Sequence, residues 1–415
     1  MISRRNFCKT CGLMTMVGTM APAFLAQTVT ASSTNLAQGK RALVVVQMTG
    51  GNDGLNTVVP FADSAYYNVR PTLGLKDEAI LKLNEAVALN SSLKDLKQLY
   101  DNGQMAVVQG VGYPNPNYSH FRSMEIWQSA QPDGPATGGW LGRLLEAEDK
   151  AGNKDALTKL GMTIGNTGQG GGAPLAFWTQ KTVVLSYGGI AQFQFKGAAN
   201  DRESQLAVAR KIYGIAGQND IADYINKTAL DALNASDLLE KIASNYKPAV
   251  TYPKSPFADR LKNIAQLLNS DYGARIFYVS TDGSFDTHFN ELTVHNRQLQ
   301  TMSEALGAFY KDLEAHNLAD SVLTMTFSEF GRRVAENGSH GTDHGSAAPM
   351  FILGGKNVLK PGLYGQQPSL TDLDNGNMKV NQDFRSVYGT VLKNWLGTDP
   401  QPVVGGDFPT LDFIK

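Results

Sequence analysis

Four of the six histidines in this chain stand in short polar motifs that also carry acids, glycines or hydroxyls. They are His120 in Ser119-His120-Phe121, His288 in Asp286-Thr287-His288, and both His340 and His344 in His340-Gly341-Thr342-Asp343-His344-Gly345. Two further acids lie in similar surroundings. Asp53 follows Gly50-Gly51-Asn52, and Glu329 opens Glu329-Phe330-Gly331-Arg332-Arg333. Imidazole plus carboxylate without thiols is the ligand set for zinc, manganese and other divalent ions. One or two such ions can stabilise the attacking and leaving oxygens of a displacement at phosphorus or sulfur.

Asp286 with His288, and Asp343 with His344, each offer one anionic and one neutral ligand. Asp53 could bridge. Glu329 is a further ligand or a carboxylate that orients a histidine. Such pairs also arise by chance as solvated loop residues or turn formers, so their weight lies in joint placement. Ser119, His120 and Arg332 are the catalytic candidates. Ser119 precedes a helix, where a nucleophile gains from the dipole and from a nearby metal. It also suits a plain N-cap. Ser123, one turn on, is the alternative hydroxyl. Arg122, Arg332 and Arg333 can clamp an oxyanion or cover surface carboxylates.

The elements that must position these residues alternate strand, loop and helix. Ala42–Met48 is a continuous apolar run, as in a strand buried on both faces. Leu93, Leu96 and Leu99 share a helix face that Asn102-Gly103 ends. Met105–Val108 reads as the next strand, Gly110–Tyr118 as a loop, and Ser119–Ala130 as a helix. Further strands are expected at 182–186, 274–280, 321–327 and 350–353. The order predicts an α/β fold, a largely parallel central sheet flanked by helices. In such sheets ligands bind beyond the carboxyl ends of strands, where most of the motifs fall. Residues 40–415 read as one domain, with a helical insertion or cap at 198–270. Gly165–Gly172 reads as a surface loop. The apolar positions Phe384, Val387, Tyr388, Val391 and Trp395 predict a core-packing helix over 383–396.

The first residues carry their own signal. Ser3-Arg4-Arg5-Asn6-Phe7-Cys8-Lys9 precedes an uncharged run to about Ala26, the layout of a twin-arginine secretory peptide within residues 1–31. That predicts passage through the twin-arginine translocase to the periplasm or beyond. Both cysteines, Cys8 and Cys11, lie in this segment, so thiol chemistry is excluded from the mature chain. Removing Arg4, Arg5 and Lys9 leaves 34 basic and 38 acidic side chains, a mild net charge of −4. No basic stripe suggests nucleic acid, and no further apolar run suggests a membrane span. Gly110-Val111-Gly112 and Gly168–Gly172 fall short of nucleotide-binding loops, and no Gly-x-Ser-x-Gly elbow exists.

Gly50–Asn56, Ser119-His120-Phe121, Phe285–His288, Ser328–Arg332 and Thr342–Gly345 together resemble the bacterial family catalogued as domain of unknown function 1501. That family is similar to the alkaline-phosphatase and sulfatase superfamily. The resemblance implies a mixed sheet flanked by helices with a metal site at its carboxyl edge. It matches Asp53 to the first metal ligand, Asp286 and His288 to a later Asp/His pair, and Asp343 and His344 to the last metal motif. The middle Asp-to-His spacing is shorter here, and the nucleophile motif is not recognisable. Two functions follow as expectations. One is an exported metal-dependent hydrolase acting on a small anionic phosphate or sulfate ester. The other is a non-catalytic binding or assembly protein that kept the fold.

Overall fold

The computed structural model describes residues 40–153, 156–165, 173–182, 184–187, 201–215, 219–270 and 272–415. The paired arginines, both cysteines and all of the glycine-rich loop except Gly165 lie outside the described residues.

Strand β1 (Ala42–Gln47) is buried at every position. Ala42, Val44 and Val46 enter one core, and Leu43 and Val45 the other, as the two-residue period of a strand requires. The other strands of the central sheet are β2 (Met105–Gly112), β3 (Gly161–Ile164), β4 (Leu185–Tyr187), β5 (Ile276–Ser280), β6 (Val322–Phe327), β7 (Ala348–Leu353), β8 (Gly362–Tyr364) and β9 (Gln382–Asp383). Their order is β8-β2-β7-β6-β1-β5-β3-β4, with β9 also paired to β2. All pairs are parallel except the two made by β7. The sheet is therefore mixed and mostly parallel, as expected.

Helices cover both faces. The α-helices of six residues or more among the described residues are α1 (Ser64–Val69), α2 (Lys94–Asp101), α3 (His120–Ser129), α4 (Trp140–Lys150), α5 (Arg202–Tyr213), α6 (Asp220–Asn245), α7 (Pro256–Leu268), α8 (Glu291–Ala315) and α9 (Phe384–Thr390). One core joins the sheet to α2, α7 and α8 through Leu96, Phe257, Ile264, Met302 and Leu306. The other joins it to α3, α4 and α9 through Trp127, Trp140, Leu144, Val387 and Tyr388. Residues 198–270 hold α5, α6 and α7, with no strand among the described residues. Of these, α7 is set in the main core and opens on a Ser255 N-cap followed by Pro256. No described helix is long and apolar enough to cross a membrane.

Some boundaries move. The expected loop at Gly110 begins only after Gly112, because β7 and β9 pair with β2 as far as Val111 and Gly112. The strand expected from Thr182 begins at Leu185. β3 has no counterpart in the sequence reading, since Gly161 and Thr163 interrupt its apolar run although Thr163 is fully buried.

Strands β1, β2, β5 and β6 share a direction, so their carboxyl ends open on one edge. β7 runs oppositely and starts at that edge. The loops there are 48–57, 113–119, 281–290 and 328–347.

Candidate metal centre

These loops touch one another because glycines let them. Gly50 has φ +114°, and a Cβ there would lie 2.5 Å from Ser284 Oγ and 2.6 Å from the Asp286 nitrogen. Gly51, at φ +72°, faces the Phe330 ring, where a Cβ would come within 2.3 Å. Only glycine permits both the dihedral and the approach. The buried Arg332 then ties the loops together. Its Nε donates to the Gly51 carbonyl at 2.6 Å, Nη1 to the Thr342 carbonyl at 2.9 Å, and Nη2 to Asp286 Oδ1 at 2.7 Å. Nη2 also reaches the Phe285 carbonyl at 3.2 Å.

Against this frame His120, Asp286 and His344 converge. One ligand atom from each lies within 4.8 Å of the others, which makes the trio a possible metal site. His120 Nε2 is 3.5 Å from Asp286 Oδ2, and His344 Nε2 is 3.3 Å from Asp286 Oδ1. His288 joins at the side, its Nε2 3.1 Å from Asp286 Oδ1 and 2.9 Å from His344 Nε2. Ligand atoms on a tetrahedral ion with bonds of about 2.0–2.1 Å stand roughly 3.3 Å apart, so these separations suit one coordination sphere.

Proton placement sharpens the reading. His120 Nδ1 meets Glu329 Oε1 at 2.8 Å, His344 Nδ1 meets the Tyr118 carbonyl at 2.8 Å, and His288 Nδ1 meets Asp343 Oδ1 at 3.3 Å. These partners are acceptors, so each Nδ1 carries a hydrogen and donates it. In the neutral rings every Nε2 then bears a lone pair turned toward Asp286. His120 Nε2 is buried and has no hydrogen-bond partner. Two bare Nε2 atoms 2.9 Å apart, those of His288 and His344, repel unless a proton or a cation sits between them.

The same neighbours set the electrostatics of the cluster. Burial alone would raise the Asp286 carboxyl, but the hydrogen bond and charge of Arg332 outweigh it and hold the pKa below the ordinary range. The hydrogen bond that His120 donates to Glu329 lifts its pKa above the usual imidazole value, against the opposing effect of burial. Burial lowers His344. Asp343 is held low, first by its hydrogen bond from Asn337 and then by His288 and the charge of Arg333.

A family model described as "Protein of unknown function (DUF1501)" matches residues 105–406. The chain belongs to this family. No curated protein matches it. Remote likenesses exist among solved structures. The C-terminal periplasmic domain of EcEptC from Escherichia coli, in complex with Zn, is 12% identical at a TM-score of 0.36, over 78% of this chain and 74% of that one. A protein in the alkaline phosphatase superfamily from Vibrio parahaemolyticus is 11% identical at 0.38, over 92% and 77%. Alkaline phosphatase from the Antarctic bacterium TAB5 is 10% identical at 0.37, over 78% and 94%.

In this DUF1501 chain the expected site residues fall into groups. His120, Asp286, His288 and His344 meet, with Glu329 and Asp343 each holding a histidine. Arg332 is fully buried beneath them. Asp53 is placed apart, also buried, with both oxygens taken by Arg70. Burial would raise its carboxyl, but the charge and hydrogen bonds of Arg70 win and bring it down to about 2. Ser119 is exposed and begins α3 without a side-chain capping bond. Ser123 is buried, its hydroxyl engaged with Tyr113 and the Glu329 carbonyl. Arg122 pairs with Glu125 at 2.9 Å. Arg333 is exposed. His340 turns away to Thr72 at 3.2 Å.

Glu291 was invisible to the motif reading. It is fully buried, accepting from the Thr287 and Thr342 hydroxyls and from Asn56 Nδ2. Thr287 lies between Asp286 and His288, and Thr342 directly precedes Asp343. One carboxyl thus braces both motifs from behind. Burial, then the neighbouring Asp53 carboxylate, push Glu291 well above the ordinary carboxyl range. The only sequence hint was a pair of threonines inside the two Asp/His motifs.

Proposed function

We propose that the mature protein is an exported metal-dependent hydrolase acting on a phosphate or sulfate ester. The observation that carries this reading is the convergence of three imidazole Nε2 lone pairs on the Asp286 carboxylate. His120, Asp286 and His344 would hold the ion, with His288 completing the set. Mixed nitrogen and oxygen donors without thiolate suit zinc or manganese. Bound there, a divalent ion supplies Lewis-acid polarisation of a phosphoryl or sulfuryl oxygen.

The chain's own groups have separable tasks. Glu329, Asp343 and the Tyr118 carbonyl keep the Nε2 atoms pointed inward. Arg332, with its donors engaged, holds Asp286 and the loops. Arg333, exposed beside Asp343, is the arginine placed to meet an anion. Ser119 is the hydroxyl candidate for attack, since the Ser123 hydroxyl is already engaged. Asp53 serves the buried frame through Arg70.

A second reading has a specific observation in its favour. Among the described residues no serine hydroxyl is hydrogen-bonded to an imidazole Nε2 of the cluster, which suits a non-catalytic binding or assembly protein that retains one ion. Metal analysis of purified mature protein, beside a screen of chromogenic phosphate and sulfate esters, separates the two. About one or two equivalents of metal plus turnover lost in Asp286→Ala supports the enzyme. Metal without turnover supports the binding protein. Export is proposed from Ser3–Lys9 alone. Replacing Arg4 and Arg5 by Lys should leave precursor in the cytoplasm, and normal export of that variant would contradict it.

A further inference from the structure

Two phenylalanines stand in water next to the cluster. Phe121 is 76% exposed and Phe289 is 70% exposed. Each directly follows a cluster histidine, His120 and His288. Tyr118, 39% exposed, belongs to the same rim. Its carbonyl receives His344 Nδ1, and Asn377 Nδ2 donates to its hydroxyl at 3.1 Å. Single exposed apolar side chains are ordinary. Phe121 and Phe289 are each one residue from a cluster histidine and Tyr118 is bonded to a third, whereas the other large exposed apolar side chains among the described residues lie between Trp178 and Ile225.

Of the polar neighbours, Asn337 and Arg122 are engaged within the protein, while Ser119 and Arg333 are exposed. Asn337 Nδ2 donates to the His288 carbonyl and to Asp343, and its oxygen accepts from Ser339 and Gly341. Arg122 donates to the carbonyls of Pro132 and Gly134. Ser119 and Arg333 are left for the anionic head, whereas an apolar group would shed water against rings that already lack cover.

Resting on the reading of the cluster as an ester-binding metal site, we infer that the ester's organic group is apolar, an aryl or alkyl group held against Phe121 and Phe289. The cluster takes the anionic head, and the rim selects the remainder.

The test uses mature protein loaded with zinc or manganese and calorimetric titration of two probe pairs. These are phenylphosphonate against methylphosphonate, and benzenesulfonate against methanesulfonate. The phenyl member of the pair that binds should be about tenfold tighter, and the ratio should fall toward one in the Phe121→Ser/Phe289→Ser double variant. Phe121→Ser alone, at an exposed position, should lower the ratio part-way and guards against a folding defect in the double variant. Equal affinity for phenyl and methyl probes in the wild type overturns the inference and leaves the anion site standing. A phenyl preference that survives the double substitution also overturns it. Failure of all four probes to bind the metal-loaded protein removes the ester-site reading and this inference with it.

Discussion

Glu329 orients His120 through one 2.8 Å contact, and the same oxygen accepts from the Gly50 nitrogen at 2.8 Å. Partners of this kind usually carry about 10–100-fold in metal affinity. Glu329→Ala should therefore weaken zinc or manganese binding by about that factor, measured by competition with a chromogenic chelator. Unchanged affinity would contradict the orienting role. His295 makes a different prediction. It is fully buried beside Asn52 and Thr57, with Nδ1 unpartnered, and burial pushes its pKa down from 6.5 to about 4. The folded form refuses a proton that the unfolded chain takes up below its own pKa. Its contribution is thus complete above pH 6.5 and is lost as pH falls toward 4. That difference amounts to roughly 3 kcal/mol. Melting temperature should fall less steeply across this window in His295→Gln than in wild type, and identical slopes would refute the assignment.

At the scale of elements, the loop after β5 and the loop before β7 are held in register by the single carboxyl of Glu291, at the first turn of α8. Glu291→Ala strands two threonine hydroxyls and Asn56 without their acceptor. Such losses cost about 2–3 kcal/mol in total. Denaturant unfolding should show that loss, together with weaker metal binding, while Glu291→Gln keeps an acceptor oxygen and should do less harm. This brace marks where sequence reasoning stops. Asp286, His288, Asp343 and His344 were legible because acids and imidazoles after apolar runs point to the carboxyl edge of a sheet. Their partners were not, because a glutamate or arginine that will be buried looks like one that will be solvated. Glu291 and Arg70 illustrate this. Spacing also could not tell His344, which enters the cluster, from His340, which turns toward Thr72.

Across the whole molecule, the strands that could be read are those covered on both faces. β1, β5 and β6 need apolar side chains at nearly every position, so they appear as continuous runs. β3 holds a glycine and a threonine, and β8 and β9 are only three and two residues long, too short to show a period. The helix expected over 383–396 was legible for the opposite reason, since one apolar stripe of five residues faces the core along α9 and the π-helical stretch Val391–Leu396 that continues it. It also locks the first strand, because Trp395 donates its indole hydrogen to the Ala42 carbonyl at 2.8 Å and is 1% exposed. Trp395→Ala should destabilise the fold by about 3–5 kcal/mol. Loss of less than about 1 kcal/mol in chemical denaturation would mean that the helix does not anchor β1 as described. The loops that build the candidate metal centre leave this sheet from neighbouring strands, so their geometry depends on the sheet holding its register. The most direct test of that centre is an anomalous-difference map from crystals of the mature protein grown with zinc. The account predicts one strong peak with His120 Nε2, His344 Nε2 and Asp286 at about 2.0–2.2 Å. An occupied zinc site elsewhere, with these three side chains uncoordinated, would contradict it.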